Sequence, residues 1–171
     1  RGVLKMNEFV KKFGQAVQYL PPRFRDDAMN LDSEMKSKVT EFRLRVGEKL
    51  RVNTGSKEIE ISNSGVRHEE IRTVLELATK SSVHTTYASL CEGYVTVSGG
   101  HRISVCGTAI CDGDNIKGFR ELSSVSIRIA KEVKDASAEI INHVFDKDKF
   151  CNTLIVSPPG HGKTTTLRDL I

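Results

Sequence analysis

The chain has 171 residues, 38% of them hydrophobic, enough for one cored domain and the beginning of another. Its 26 Lys and Arg nearly balance 22 Asp and Glu, too even to argue for nucleic-acid binding by charge alone. No run of ~18 apolar residues offers a membrane-spanning helix, and Arg1-Gly2-Val3-Leu4-Lys5 has neither a signal peptide's apolar core nor an initiator Met, so further residues are expected upstream.

Phe9, Val10, Phe13, Val17 and Leu20 recur at helical spacing, and Pro21-Pro22 ends that helix. Residues 23–38, with Phe24, Met29, Leu31 and Met35, read as one or two short helices. This helical leader, 1–40, is either a docking element or a packed N-terminal subdomain, and the second reading is preferred. From Glu41 the period becomes two: Phe42, Leu44 and Val46 face one side, Glu41, Arg43 and Arg45 the other. Further strands are expected at 49–53 and 57–61. A helix follows over 67–80 with Ile71, Val74, Leu75 and Leu77-Ala78 inward, and a second helical stretch over 83–90. Strands return at 94–97, 102–109, 115–120 and 125–129, with Asp112-Gly113-Asp114-Asn115 as a tight hairpin tip. A helix over 136–146 leads to a buried strand at Thr153-Leu154-Ile155-Val156. The expected fold class is α+β, a mostly antiparallel sheet with helices over 41–148, followed at 149–171 by the start of an α/β P-loop domain.

Ser157-Pro158-Pro159-Gly160-His161-Gly162-Lys163-Thr164 lies between that strand and the helix opening at Thr165. Strand, glycine-bearing loop, Lys-Thr and helix is the context a phosphate-binding loop needs. Glycines let backbone N–H groups turn toward phosphate oxygens, and the helix start presents free N–H groups to the same anion. The candidate nucleotide contacts are Ser157, Pro158, Pro159, Gly160, His161, Gly162, Lys163, Thr164 and Thr165, with ATP and Mg²⁺ as cofactors. Lys163 would reach the β- and γ-phosphates and Thr164 would ligate Mg²⁺. Ser157 stands where the pattern has its first Gly, a small residue that leaves Gly160 and Gly162 beside the phosphates. Seven residues follow Thr164, too few for a Walker B acid or a water-positioning group. The expectation is an N-terminal portion of an ATPase that binds nucleotide but does not turn it over by itself.

Glu41-Phe42-Arg43-Leu44-Arg45-Val46-Gly47, Ser98 through Gly107, Ile127 through Val133, and above all Thr153 through Leu170 resemble the stage III sporulation protein AA family. The likeness runs from about residue 41 to the end and includes the Ser at the first loop position; His161 stands where that family's pattern has Cys. It implies an ATPase akin to those of type II and type IV secretion and pilus systems, with a PAS-like N-terminal domain, a RecA-like motor domain and a hexameric ring. It implies a place in the mother-cell cytoplasm, peripheral to the forespore membranes, with an inner-membrane platform protein as partner. In such rings the N-terminal domain lends arginines to a neighbour's nucleotide. Arg102, after Gly99-Gly100-His101, resembles that segment, and Arg120 is a second candidate; Arg120 and Arg128 are read as lying on adjacent strands. For each of these arginines a solvated strand position is the simpler reading.

Other residues carry plainer expectations. Arg43, Arg45 and Arg51 form a basic strand face that meets lipid headgroups, a partner or water. His84 and His101 are structural rather than ligands, Asp112 and Asp114 belong to a turn rather than a metal site, and Glu121 neutralises Arg120. Asp169 is too near the loop to be a Walker B acid. Cys91, Cys106, Cys111 and Cys151 show no zinc spacing and read as buried, reduced thiols of a cytoplasmic protein. Two other functions compete with the motor: an assembly module in which nucleotide only stabilises a ring, and a single-strand nucleic-acid binder. The second is disfavoured, because aromatics are 6% of the chain and none interleaves with Arg43 and Arg45.

Overall fold

The alternation that begins at Glu41 builds the centre of a sheet. In the computed structural model, which describes residues 2–79, 93–131, 136–146, 149–158 and 162–170, β1 (Glu41–Arg45) pairs antiparallel with both β2 (Lys49–Asn53) and β6 (Asn115–Arg128). With β3 (Glu58–Gly65), β4 (Tyr94–Thr96) and β5 (Arg102–Asp112), the order is β3-β2-β1-β6-β5-β4, all antiparallel. The chain divides into two units, Arg1–Lys131, which holds this sheet, and Glu132–Ile171. The expected helix at 83–90 lies outside the described residues.

In the sheet unit, Phe42, Leu44, Leu50, Val52, Ile103 and Ile127 point to one face and are fully or nearly fully buried. Helices α1 (Gly2–Val17) and α2 (Pro22–Met29) contribute Phe13, Val17, Phe24 and Ala28 to the same core, with Leu20 from the turn between them, and Met35 of α3 (Ser33–Lys38) packs half-buried against it. Pro21 precedes α2 and Pro22 starts it, where a missing N–H costs nothing. Asp32 caps α3 by accepting from the Met35 N–H at 2.7 Å. Helix α4 (His68–Thr79) adds Ile71, Val74 and Ala78.

An ion pair with a buried carboxylate and a partly exposed guanidinium ties α2, β3 and α4 together. Arg23 donates from Nε and Nη2 to the two oxygens of Glu70, from Nη1 to Ser64 Oγ at 2.8 Å, and from Nη2 to the Gly65 carbonyl at 2.6 Å. Glu70 also accepts the Arg67 N–H at 2.7 Å at the start of α4. Burial pushes the Glu70 carboxyl up, but the Arg23 and Arg67 hydrogen bonds outweigh it and hold it below the usual carboxylate range. A depressed carboxyl stabilises the fold fully above its unfolded pKa, and the contribution fades as pH falls through the folded value. Glu70→Gln is therefore expected to cost about 1–3 kcal/mol at neutral pH. The gap in urea midpoint between wild type and variant should close below about pH 4.

Sequence reading split β6 into strands at 115–120 and 125–129; the structure makes it one strand with three register shifts against β5, one of them leaving Lys117 extra between the Ile110–Gly118 and Cys111–Ile116 pairs. Cys106, Gly107 and Thr108 pair with Ser124, Leu122 and Arg120, so Ser123 and Glu121 are extra residues. Glu121 takes φ 49° to make the bend. A Cβ on Gly107 would stand 2.9 Å from Leu122 Cα and 3.0 Å from the Glu121 carbonyl oxygen, both backbone atoms. Gly107→Ala should thus destabilise the sheet by about 1–3 kcal/mol, read by thermal melting, because backbone cannot swing aside as a side chain does. The Asp112 hairpin forms as expected, Asp112 pairing with Asn115 across Gly113-Asp114.

The unit Glu132–Ile171 departs further from expectation. In place of a helix over 136–146, residues 136–140 form turns, α5 is only Ile141–Val144, and β7 (Phe145–Asp146) pairs with β8 (Lys149–Phe150). The Ser137 N–H and Oγ–H are both taken by Asp169 Oδ2, at 2.9 and 2.6 Å, and the Ser137 carbonyl accepts the Ile140 and Ile141 N–H groups, each at 2.9 Å, at the start of α5. The Phe145 and Phe150 rings meet edge to face with centroids 5.3 Å apart and fix the small hairpin. Residues 151–158 carry no regular secondary structure, with Leu154 86% and Val156 80% exposed, so the buried strand expected at 153–156 is not formed. Such a strand needs neighbouring strands to take its backbone groups and a layer to cover it. This unit's described strands, β7 and β8, pair only with each other.

Candidate functional site

The helix after the glycine loop, α6, begins at Lys163 and runs to Leu170. Gly162 enters it with φ 83°, a left-handed conformation that suits glycine, and its carbonyl accepts the Thr166 N–H at 2.8 Å. Lys163 Nζ donates to the Ser157 carbonyl at 2.6 Å and to the Pro158 carbonyl at 2.9 Å, so the ammonium closes the loop on itself. Thr164 is exposed on the first turn and Thr165 half-buried. Pro159, Gly160 and His161 lie outside the described residues. Asp169, at the other end of α6, holds Ser137.

The arginine candidates stand far apart. Arg102 opens β5 opposite Arg128, and its guanidinium stacks on the Tyr94 ring at 3.5 Å. Arg120 lies opposite Thr108, about six residues or roughly 20 Å farther along the same ladder. Arg120 and Arg128 share strand β6 rather than lying on neighbours. Glu121 meets Thr108, whose Oγ1 donates to it at 3.4 Å, in place of the expected pairing with Arg120.

The outer face of the sheet is charged but compensated. Arg43 reaches Glu41 at 3.0 Å and Glu58 at 3.2 Å, and Arg51 reaches Glu60 at 3.0 Å and Glu48 at 3.4 Å. Arg45 pairs with Glu48 at 3.2 Å and Lys49 with Glu60 at 3.4 Å. The basic face read from Arg43, Arg45 and Arg51 is thus interleaved with glutamates from β1, from β3 and from the turn before β2. Among them lies a hollow of ≈ 270 Å³ with four cations and two carboxylates, Glu48 and Glu58, on its wall. Its floor is the small side chains Ser104, Ser124, Ser126 and Cys106 of β5 and β6. Sequence reading passed over this hollow; its trace is the run of Ser at alternate outward positions, where strands ordinarily carry larger residues.

His101 is fully buried and accepts the Ala130 N–H on Nδ1 at 3.1 Å, which leaves the proton on Nε2. Burial, and then the Lys12 ammonium, hold its pKa below the ordinary range, so it is neutral at pH 7 and serves the turn before β5. His84 and Cys91 lie outside the described residues. Cys106 and Cys111 are exposed rather than buried, and Cys151 is half-buried. Both sit where strand residues face outward, which hydropathy cannot tell from inward. No group of three His, Cys, Asp or Glu among the described residues is placed to hold a metal, and no described helix is long and apolar enough to cross a membrane.

An antiparallel-sheet α+β domain followed by a Gly-Lys-Thr helix start is the class of chain these features define. Residues 12–171 match the family described as sporulation stage III, protein AA, and the chain belongs to that family. It is similar to stage III sporulation protein AA of Bacillus subtilis (strain 168), 28% identical over 156 residues that cover 91% of this chain and 50% of that protein. The chain thus spans about half the length of the curated relative it matches.

Proposed function

We propose that this chain is the nucleotide-binding N-terminal portion of a motor ATPase that acts in endospore formation. In this reading a PAS-like sheet domain precedes a RecA-like motor, and the complete protein hydrolyses ATP as a ring, hexameric as in secretion ATPases. It works in the mother-cell cytoplasm against an inner-membrane platform protein. The observation that carries the reading is Lys163, placed at a helix start behind Gly162 and folded onto the Ser157 and Pro158 carbonyls. Those carbonyls hold a cation in the place where a phosphate would compete for it. Charge-assisted contacts to phosphate exceed neutral carbonyl contacts, so the exchange favours the ligand. Thr164, exposed on the same turn, is the residue to hold Mg²⁺, which when bound would neutralise charge on the β- and γ-phosphates. The role in sporulation comes from the family and from the name of the Bacillus subtilis relative.

The test is ATP turnover and sedimentation of the chain continued to the length of that relative. Nucleotide-dependent assembly with turnover supports the motor. Assembly without turnover points to the docking-module reading instead.

A further inference from the structure

We propose that the buried His101 ring is an acid-released latch: neutral, it holds the end of the sheet unit to the turn before β5, and protonated, it lets that end go. The inference depends neither on nucleotide binding nor on self-assembly. Its parts come from three places in the chain. Helix α1 supplies Phe9, Lys12 and Gln15, and the turn at Ser98–Gly100 supplies two left-handed glycines. Ala130 and Lys131 close the sheet unit immediately before the other unit opens at Glu132.

His101 is fully buried, and its Nδ1 accepts the Ala130 N–H at 3.1 Å. Nε2, which carries the proton, meets no acceptor among the described residues. Gly99, with φ 84°, closes over it; a Cβ there would stand 2.8 Å from Nε2 and 2.9 Å from Gln15 Oε1. Lys12 Nζ donates to the Gly99 carbonyl at 2.9 Å and fastens α1 to the same turn. Lys131 Nζ donates to the Ser37 carbonyl at 2.5 Å and lies 5.2 Å from the Phe9 ring centroid. The imidazole therefore joins the turn to Ala130, while the two lysines tie each side to the N-terminal helices.

A second proton reverses the role of Nδ1. An imidazolium donates from both nitrogens, so Nδ1–H would face the Ala130 N–H and the bond between them is lost. Two buried donors and a charge then lack partners, which favours exposing the ring to water. The surrounding charges act in the same direction. Lys12 on α1 is the cation whose field reaches the ring. The cations next in the chain are turned elsewhere, Lys131 to Ser37 and Phe9, and Arg102 to Tyr94. Among the described residues no carboxylate partners the imidazole. Burial first, and then Lys12, hold the ring's pKa down, so the closed latch refuses a proton that the open one accepts. The latch keeps its full strength above the ordinary histidine value of about 6.5 and loses it as pH falls below.

Amide hydrogen exchange of the full chain, read by NMR and corrected for the intrinsic rate at each pH, tests this. Protection of the Ala130 amide is expected to fall about tenfold or more between pH 7 and pH 5, while amides shared by β1 and β2 keep theirs. The Ala130 amide shift should titrate together with the His101 ring signals. His101→Asn keeps an acceptor near the place of Nδ1 but cannot take the proton, so the fall should vanish in it. Should that variant fail to fold, the paired titration in the wild-type chain decides alone. Ring titration without a change at Ala130, protection indifferent to pH, loss spread evenly over the sheet, or an undiminished fall in His101→Asn overturns the latch.

Discussion

Lys163→Ala is expected to lower ATP turnover of the family-length protein by about 10²–10³-fold, the scale seen when one fixed donor to a developing anion is removed. The ammonium has two roles in the argument. Without ligand it satisfies the Ser157 and Pro158 carbonyls at 2.6 and 2.9 Å; with ligand it would exchange them for phosphate oxygens. Only the second role bears on catalysis. Losing the first removes hydrogen bonds worth about 1 kcal/mol each to the loop, in a unit separate from the sheet. The thermal transition of the sheet unit should therefore be unchanged in the variant, while binding of a fluorescent ATP analogue weakens. Lys163→Arg should not restore turnover, because a planar fork cannot take the place of a compact point charge between the β- and γ-oxygens. Unchanged turnover in Lys163→Ala would sink the motor reading and leave the assembly module.

Where local pattern settles structure, the sequence was sufficient. The strict alternation of Glu41 through Arg45, the Pro21-Pro22 break and the Asp112-Gly113-Asp114-Asn115 turn each appear where expected. What was illegible depends on partners distant in the chain. β6 reads as two strands because Leu122-Ser123-Ser124 looks like a polar break, whereas Gly107 on the neighbouring strand gives room for a bulge. Arg43, Arg45 and Arg51 read as a basic patch because register alone brings Glu58 and Glu60 of β3 beside them. The run Thr153 through Val156 has a buried strand's composition, but burial is conferred by neighbours and not by composition. The loop's Lys163 and Gly162 were legible as a motif, yet the self-contact of Lys163 with two carbonyls was not, since it is a matter of rotamer and loop shape.

Phe42→Ala is expected to cost about 3–5 kcal/mol, a large share of the 5–15 kcal/mol that holds a typical domain together. Phe42 sits on the central strand β1, is fully buried, and its ring centroid lies 5.2 Å from that of Phe13 on α1 at a 51° tilt. Truncation leaves a cavity bounded by a helix on one side and a hydrogen-bonded sheet on the other, neither of which collapses readily onto it. Phe42→Leu, which keeps most of the volume, should cost much less. The pair also asks whether the N-terminal helices and the sheet form one cooperative core. Phe13→Ala alone removes a similar ring, so the double variant should fall short of the sum of the single losses by about 0.5–1.5 kcal/mol, the coupling of a tilted aromatic pair. Urea unfolding followed by tyrosine fluorescence and circular dichroism would measure it. A coupling near zero, with α1 lost in an earlier transition than the sheet, would mean that the helices dock as a separable layer and that the core drawn through Phe13 and Phe42 does not fold as one.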